Sequence, residues 1–190
     1  MGDDGDHDHD HDHGDDSDHT RGHDHDGDHH HHDAASAGIA AVTVSTSRTL
    51  ADDPSGDAIE ELVGRAGNAD VVARDLVGDD REALGATLDE LLADEAVDAV
   101  VTTGGTGITG DDVTIETASE RFDKELPGFG ETFRRRSEEE IGPLVVGTRA
   151  TAGVADGTVV FAVPGSENAA RTGTDLILQV VGHLVGLAGR

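Results

Sequence analysis

The 190-residue sequence predicts an α/β domain built on a mixed, mainly parallel sheet with helices on both faces. Over residues 34–190, short apolar runs rich in β-branched residues alternate with segments of helical periodicity, which is typical of α/β proteins. A segment of this length buries about two-thirds of its unfolded surface in a single core. The chain contains no Cys, so neither disulfides nor Cys-bound metals contribute to its stability.

The first half of this domain shows three predicted strands with a helix between each successive pair. The strands are predicted at 39–45, 70–76 and 98–103, and the helices at 57–66 and 80–95. The second helix carries its apolar residues on one stripe, at Leu84, Leu88, Leu91 and Leu92. Strands that are joined through helices predict right-handed parallel βαβ units.

The second half of the domain completes the layers with two more helices and two more strands. The helices are predicted at 128–140 and 167–187, and the strands at 144–154 and 158–163. The last helix follows a VPGS turn, in which Ser166 is suited to cap the helix N-terminus.

Three consecutive arginines, at 134–136, are unusual in so acidic a chain. Two interpretations are open for them. They form an anion site for a substrate phosphate or a partner chain, or they pair with the glutamates at 138–140.

Residues 1–33 have the composition of a disordered His/Asp-rich tail. They hold 13 Asp, 11 of the 12 His and one Arg, and no apolar side chain lies between Asp3 and Asp33. Alternating imidazoles and carboxylates suit late first-row divalent ions such as zinc, nickel, copper or cobalt. The alternative is a solvated acidic leader without a metal role. The predicted metal ligands are His7, His9, His11, His13, His29, His30, His31 and His32.

The net charge of −28 argues against several classes of partner. Polyphosphate backbones and anionic membrane surfaces both repel such a chain, so we expect neither nucleic-acid nor membrane binding. The longest apolar runs are far shorter than the ~20 residues that span a bilayer, and the N-terminus is too acidic for a signal peptide. We therefore expect a cytoplasmic protein.

The kinds of charged residue indicate adaptation to high salt. Lys124 is the only Lys, Arg occurs at eleven positions of the domain, and Trp and Tyr are absent. Molar salt shortens the Debye length to ~3 Å and removes most of the repulsion between carboxylates. The composition therefore predicts a halophilic protein whose domain unfolds when salt is removed.

A glycine-rich loop directly follows the third predicted strand. Gly104, Gly105, Thr106 and Gly107 come at the carboxyl end of that strand, where α/β sheets bind ligands. Glycines there let backbone N–H groups approach a phosphate, and the threonine adds a hydroxyl donor. The loop matches neither the Walker A nor the GxGxxG pattern, so a tight turn without a ligand is the alternative.

Two carboxylates are expected to approach this loop. Asp112 lies shortly after the glycines, and Asp79 follows the second predicted strand. Because neighbouring parallel strands end at the same edge of a sheet, both can converge on one crevice, where Mg²⁺ would join them to a phosphate. Such a site suits nucleotidyl or phosphoryl transfer. The alternatives are a helix N-cap for Asp79 or Asp80 and an Asx turn for Asp112.

The domain contains five segments in a specific order: TVSTSRTLADDPSGDAI, VTTGGTGITGDDVTIE, KELPGFGETFRRRS, TRATAGV and VPGSENA. Their combination resembles the molybdenum cofactor biosynthesis family that includes MogA and MoaB, over about residues 39–186, and is closer to the MoaB branch. The resemblance implies a three-layer α/β/α molybdopterin-binding fold and a homo-oligomer, a trimer or a hexamer. It also implies adenylylation of molybdopterin by Mg-ATP, with pyrophosphate as the second product, and a separate metal-insertion protein as partner.

The resemblance also implies roles for individual residues. Asp112 and Asp79 match the catalytic aspartates and would hold Mg²⁺. The positions implied to bind the nucleotide or the pterin are Ser45, Gly104, Gly105, Thr106, Gly107, Glu125, Glu131, Pro164, Gly165 and Ser166.

Two other functions stay open. One is a non-catalytic molybdopterin-binding or scaffold protein. The other is a metal-handling protein, in which the His-rich tail performs the function and the domain is its carrier. Molybdenum and tungsten are both compatible with the sequence as the final metal of the cofactor.

Overall fold

The computed structural model describes residues 36–189, and these form one six-stranded sheet between two layers of helices. The predicted tail at 1–33 and its histidine candidates lie outside the described residues. The elements follow one another as β1 (Ala37–Val44), α1 (Pro54–Ala66), β2 (Ala69–Val77), α2 (Arg81–Leu92), β3 (Ala99–Thr103), α3 (Thr114–Ser119), β4 (Lys124–Glu125), α4 (Pro127–Ile141), a 3-10 helix (Gly142–Gly147), β5 (Thr151–Ala155), β6 (Thr158–Val163) and α5 (Glu167–Ala188).

The strand order is β2-β1-β3-β6-β5-β4, which confirms the mainly parallel sheet. β1 pairs in parallel with β2 and with β3, and β3 pairs in parallel with β6. β5 runs antiparallel to both of its neighbours. β2, β1, β3 and β6 are therefore parallel, and their carboxyl ends lie along the same side of the sheet. The connection after β1 leads to α1 on one face of the sheet, and the connection after β3 leads to α3 on the other face, so a topological switch point lies between β1 and β3.

Each central strand sends alternate residues into two separate cores. In β1, Ile39 and Ala41 face a core shared with α1, α4 and α5, whereas Val42 and Val44 face a core shared with α2 and α3. This division confirms the three-layer α/β/α sandwich. The 22-residue α5 lies in the same layer as α1 and α4. Of the helices in residues 36–189, none combines the length and the apolar character needed to cross a bilayer.

The strand predicted at 144–154 is wrong in its first half. Residues Gly142–Gly147 form a 3-10 helix, and the strand begins only at Thr151. Pro143 occupies the first turn of this helix, where its missing N–H costs nothing. Short apolar runs are compatible with either a strand or a helical segment, so the pattern at 144–147 was ambiguous.

The salt bridges predicted for the arginines at 134–136 are also absent from the described part of the chain. Within residues 36–189, none of these arginines forms an ion pair with the glutamates at 138–140. Arg136 instead donates a hydrogen bond to Oε1 of Gln179 at 3.0 Å, and Glu140 accepts one from Asn168. Both partners lie on α5, so the contacts of Arg136 and Glu140 are made with that helix and not with one another. The anion-site interpretation stays a prediction.

Candidate functional site

The carboxyl ends of β1, β3 and β6 enclose a crevice of about 230 Å³ at the switch point of the sheet. Ligand pockets for whole small molecules occupy roughly 300–1,000 Å³, so this crevice has room for part of a substrate, such as a phosphoryl group. Its lining consists of short or polar residues and one arginine: Thr43, Val44, Ser45, Ser47, Arg48, Thr103, Gly104 and Gly165.

Two glycines allow the loops after β1, β3 and β6 to meet backbone to backbone. Gly104 has φ 100°, and a Cβ on it would lie 2.3 Å from the carbonyl oxygen of Val44. A Cβ on Gly165 would lie 2.9 Å from the Cα of Gly104. The predicted tight turn is therefore present at Gly104. Phosphate binding by the same loop stays a prediction.

The glycine-rich loop at 104–107 is fixed by contacts from both sides. The hydroxyl of Thr114 donates to the carbonyl of Gly104 at 2.8 Å, and Nε of Arg149 donates to the carbonyl of Thr106 at 3.3 Å. Arg149 also donates from both Nη atoms to Glu116, at 2.5 and 3.2 Å, and this contact lowers the pKa of the Glu116 carboxyl. The loop is thereby joined to the first turn of α3, directly through Thr114 and through Arg149 to Glu116.

Asp112 closes the loop that follows these glycines. Its carboxylate accepts hydrogen bonds from the Thr109 hydroxyl at 2.6 Å, from the Thr109 amide at 2.8 Å and from the Gly107 amide at 2.8 Å. The Thr109 hydroxyl is the largest cause of the lowered pKa of Asp112, followed by the two amides and the nearby Arg149. These donors lie three and five residues before Asp112, whereas an Asx turn uses the N–H two residues after it, so the Asx turn that was the alternative is not formed by these bonds. A carboxylate offers about four lone pairs, so three hydrogen bonds leave capacity for a cation.

Asp79 and Asp80 have different roles although they are neighbours. Oδ1 of Asp80 accepts from the Ala83 amide at 2.8 Å and caps α2, which confirms the N-cap alternative for this residue. Oδ2 of Asp79 accepts from the amide and the hydroxyl of Thr46, each at 3.0 Å. Asp79 therefore links the loop after β2 to the loop after β1.

The two aspartates flank the crevice and do not line it. Asp79 is attached to the loop after β1, and Asp112 is attached to the loop after β3. Within residues 36–189, no group of three or more His, Asp or Glu residues forms a ready-made metal site. Mg²⁺ commonly takes one or two carboxylates together with substrate phosphates, so this donor set fits Mg²⁺ that arrives with a phosphate.

Three other predicted residues surround the crevice. The hydroxyl of Ser45 accepts a hydrogen bond from the Ser47 amide at 3.3 Å. The carbonyl of Pro164 accepts one from the Thr103 hydroxyl at 3.0 Å. Ser166 accepts from the Ala169 amide at 3.2 Å and caps α5, as the sequence predicts.

Glu125 and Glu131 lie away from this crevice. Glu125 belongs to β4, the strand at the opposite edge of the sheet from β2. It lines a separate cavity of about 360 Å³ between the start of α4 and the middle of α5, together with Phe129 and His183. Glu131 is exposed on α4. The fold does not bring either glutamate to the crevice, and their role in binding stays a prediction.

Sequence reasoning missed the arginine of the crevice. Arg48 donates from Nη1 to the Ser55 hydroxyl at 2.8 Å and from Nη2 to the carbonyl of Gly165 at 3.1 Å. Its Nη1 also lies 3.3 Å from Oδ1 of Asp53. A single arginine in a loop has no periodicity, and the only signal was its position four residues after the end of a strand.

Asp53, a buried carboxylate next to that arginine, was missed as well. Its side chain has no exposed surface, and it accepts from the Thr43 hydroxyl at 2.7 Å and from the Gly56 amide at 3.0 Å. Arg74 lies 3.3 Å from its other oxygen. Burial raises the pKa of Asp53, but the bonds from Thr43, Gly56 and Arg74 outweigh burial, so its pKa is lowered.

Comparison with known proteins shows to which family the chain is similar. Residues 40–183 match the family described as "Probable molybdopterin binding domain". The chain is 42% identical to molybdenum cofactor biosynthesis protein B of Bacillus subtilis over 146 residues, which is 76% of this chain and 85% of the relative. It is 43% identical to a protein of Pyrococcus furiosus named molybdopterin adenylyltransferase over 152 residues, 78% of this chain and 88% of the relative.

A solved structure shows the same fold. The tungsten cofactor synthesizing protein MoaB from Pyrococcus furiosus superposes with a TM-score of 0.74 at 39% identity, covering 83% of this chain and 99% of the other. Its agreement extends over nearly the whole described domain. Fold, family match and relatives thus lead to one conclusion: the chain belongs to the molybdopterin-binding domain family of molybdenum and tungsten cofactor biosynthesis, together with MoaB and MogA.

Proposed function

We propose that the chain is a molybdopterin adenylyltransferase, which joins the AMP part of ATP to molybdopterin and releases pyrophosphate. The observation that carries this proposal is the switch-point crevice flanked by Asp79 and Asp112. The name of the Pyrococcus furiosus relative supports the same reaction.

The reaction is a nucleotidyl transfer. An oxygen of the terminal phosphate of molybdopterin attacks the α-phosphorus of ATP. The new phosphorus–oxygen bond forms as the bond to the oxygen that bridges to the β-phosphorus breaks, and pyrophosphate leaves with that electron pair. Holding the two phosphates in line supplies much of the acceleration, because it replaces a collision with a positioned encounter.

The residues of the chain bind and orient the substrates in this proposal. In this proposal the backbone of 104–107 and the hydroxyls of the crevice face the phosphates, and Asp79 and Asp112 would hold Mg²⁺. A bound Mg²⁺ would supply positive charge that neutralises the phosphates in the transition state. Without a cation, the ionised Asp112 would repel them, since its lowered pKa keeps it charged at neutral pH. We therefore expect the activity to require a divalent cation.

The test is adenylyl transfer in molar KCl, with molybdopterin, ATP and Mg²⁺, and detection of AMP-linked pterin. Asp112→Asn removes the negative charge but keeps hydrogen-bonding atoms for Thr109. We expect turnover to fall on the order of 100-fold or more, while molybdopterin still binds. Asp111→Asn is the matched control, because it makes the same change of charge at the neighbouring exposed residue, and its turnover should stay close to wild type.

The alternative function gives a different result. A non-catalytic molybdopterin-binding protein would bind the pterin tightly but form no AMP-linked product in the wild-type chain. Turnover that survives Asp112→Asn would contradict the catalytic role of this residue.

We also propose that the chain assembles as a homo-oligomer, a trimer or a hexamer. Leu144 and Val146, on the 3-10 helix, are 79% and 87% exposed, and apolar side chains so exposed on an acidic surface favour a contact between chains. Light scattering in molar KCl measures the mass. A monomer at all concentrations would contradict this proposal.

A third proposal concerns the tail. We propose that the histidines at 7–13 and 29–32 bind zinc, nickel, copper or cobalt, because neutral imidazoles are good ligands for these ions. The test compares metal bound by the full chain with metal bound after deletion of residues 1–33. Equal binding by both would leave the tail as an acidic leader.

The remaining proposals concern the setting of the reaction. We expect adenylylation to take place in the cytoplasm, where ATP is supplied. The adenylylated pterin would then pass to a separate metal-insertion protein, because the proposed reaction leaves the pterin without its metal.

A further inference from the structure

We propose that Arg48 is the anion-binding side chain of the crevice and that Asp53 is the residue that positions it. The proposal rests on the adenylyltransferase function for the identity of its ligands, but not for the anion site itself. The crevice lies where the substrates of that reaction would place their phosphates, and Arg48 is part of its wall.

Arg48 is the single charged side chain of the crevice, as far as the described residues go. The other lining residues are Ser, Thr, Val and Gly, which contribute hydroxyls and backbone. No carboxylate is among the lining residues, because Asp79 and Asp112 are attached to loops outside the lining. A crevice with one cation and several hydroxyls has the chemistry of a site for a phosphoryl group.

The guanidinium of Arg48 has donors left for a ligand. A guanidinium carries five N–H groups. Three are used within residues 36–189, namely two from Nη1 to Asp53 and Ser55 and one from Nη2 to Gly165. Nε and the second hydrogen of Nη2 remain, and the side chain is 29% exposed. A buried structural arginine would have neither this exposure nor these donors.

Asp53 has the properties of a positioning residue. It is fully buried, so it does not touch a ligand in the crevice, but it lies 3.3 Å from Arg48. Thr43 and the Gly56 amide hold its carboxylate in one place. Arg74 contacts the other oxygen of this carboxylate, at 3.3 Å, and so helps to hold it in place. Asp53 therefore fixes the direction of the guanidinium of Arg48 and leaves Nε and the second hydrogen of Nη2 for a ligand.

The ligand class is a phosphate monoester or a polyphosphate. The proposed reaction offers two sources of this chemistry, the terminal phosphate of molybdopterin and the phosphates of ATP. The crevice is too small for either complete molecule, so the rest of the bound substrate would extend over the surrounding loops.

The first test measures the binding of inorganic pyrophosphate by calorimetry, which does not depend on turnover. Arg48→Gln is expected to weaken binding roughly 10- to 100-fold, as for loss of hydrogen bonds to a charged group. Arg48→Lys keeps the charge but loses the planar fork, so we expect an intermediate affinity. Arg65→Gln is the matched control, because this exposed arginine lies in the last turn of α1, whereas Asp53 and Ser55 lie at its start. The affinity of this variant for pyrophosphate should equal that of the wild type. Wild-type affinity in Arg48→Gln would overturn the proposal.

Kinetics then distinguish the two sources of phosphate. If Arg48 faces the nucleotide, Arg48→Gln raises the KM for ATP and leaves that for molybdopterin unchanged. If it faces the pterin, the KM for molybdopterin rises instead. An unchanged KM for both substrates would overturn the proposal. If the wild-type chain forms no adenylylated pterin but binds pyrophosphate through Arg48, the anion site stands and the proposed enzyme function fails.

The positioning role of Asp53 needs a readout that a purely structural role would not change. We expect Asp53→Asn to raise the same KM as Arg48→Gln, and the double variant to be no worse than Arg48→Gln alone, because both changes remove one interaction. Additive losses would overturn the positioning role. If Asp53→Asn does not fold, Ser55→Ala provides the second variant, since it removes another partner of Nη1. A smaller rise in the same KM is expected from it, and no rise would contradict the role of this hydrogen-bond set.

Discussion

Gly104 is a residue that no other amino acid can replace without displacing the neighbouring strand. Its φ of 100° is unfavourable for any residue with a Cβ, and that Cβ would overlap the carbonyl of Val44. We expect Gly104→Ala to lower the free energy of unfolding by about 3 kcal/mol or more, from backbone strain and overlap together. Chemical denaturation in molar KCl measures this change.

The control for this substitution lies six residues further along the chain. Gly110 is exposed, its φ is not positive, and a Cβ on it would have no heavy atom within 4 Å. Gly110→Ala should change the stability by no more than about 0.5 kcal/mol. Similar losses in both variants would mean that the loop responds to any lost flexibility, and the argument from close approach would be wrong.

Asp53 gives stability a specific dependence on pH through its hydrogen bond with Thr43. Its pKa in the folded chain is lowered, so its contribution is complete above the unfolded value of about 3.9 and is lost as the pH falls through the folded value. Thr43→Val removes one of the bonds that lower this pKa. We expect a loss of about 1–3 kcal/mol at neutral pH, which shrinks below about pH 4 as the carboxyl becomes protonated.

Thr174 provides the matched control, since it is also a fully buried threonine. Its hydroxyl has no hydrogen-bond partner within residues 36–189. Thr174→Val should therefore be neutral or stabilising, with the same effect at every pH, because no bond is lost. A loss for Thr43→Val that stays constant between neutral and acid pH would contradict the assignment to the Asp53 carboxylate.

Individual site residues differed in how far the sequence could predict them. Asp112 and the glycines stand in a dense motif after a strand, so their position at the carboxyl edge could be derived from chain order alone. Arg48 and Asp53 stand in an irregular loop. Their arrangement depends on the carbonyl of Gly165, which accepts hydrogen bonds from Arg48 and Ser55 although it lies 110 or more residues away in the sequence. Such distant contacts leave no local pattern in the sequence.

At the scale of elements, Ser166 at the N-terminus of α5 has two candidate roles. Its hydroxyl either caps the helix only, or it also binds the substrate. Its hydroxyl accepts from the Ala169 amide, which is the usual N-cap contact. We expect Ser166→Ala to destabilise the chain by about 1 kcal/mol. Denaturant titration measures this loss, and the KM for each substrate shows whether the hydroxyl also binds a ligand.

Ser166→Asp separates these two roles. Aspartate caps a helix as well as serine does, so stability should return close to wild type. A carboxylate near a phosphate would be repulsive, so a raised KM in Ser166→Asp alone would indicate that the substrate lies beside the cap. Loss of stability in Ser166→Asp as large as in Ser166→Ala would contradict the capping role.

The sequence predicted long periodic elements better than short ones. The predicted strand 158–163 coincides with β6, and the predicted helix 167–187 differs from α5 by one residue, because both have a strong apolar pattern. The helix predicted at 57–66 begins three residues earlier, where Asp53 caps it and Pro54 starts it. β4 has two residues and is held by its pairing with β5, so no local signal could reveal it.

At the scale of the whole molecule, the arginines are distributed so that several carboxylates share one cation. Arg74 contacts Asp57 and Glu60 as well as Asp53, and Arg171 contacts both Glu61 and Glu167. The chain still has 41 acidic residues against 13 basic ones, which leaves a net charge of −28. Screening by salt must reduce the remaining repulsion.

This charge balance predicts that stability increases with salt. We expect the Tm to rise as KCl is raised from ~0.1 M to ~3 M, since the Debye length falls from ~10 Å to a few ångströms or less. Calorimetry on the full chain and on residues 34–190 separates the contribution of the tail to the salt dependence from that of the domain. A net charge of −16 remains without the tail, so the shorter chain should keep much of the dependence. A Tm that is indifferent to salt would contradict the halophilic interpretation.

The contact between Arg48 and Gly165 spans 117 residues of sequence, and that between Ser55 and Gly165 spans 110. Loop-closure entropy delays contacts of such separation during folding. The crevice therefore cannot form from the N-terminal βαβ units alone, and it appears only when β6 has joined β3. During synthesis on the ribosome, the first βαβ units can form before Gly165 has been made, so a phosphate would bind only after β6 and the turn that follows it have emerged.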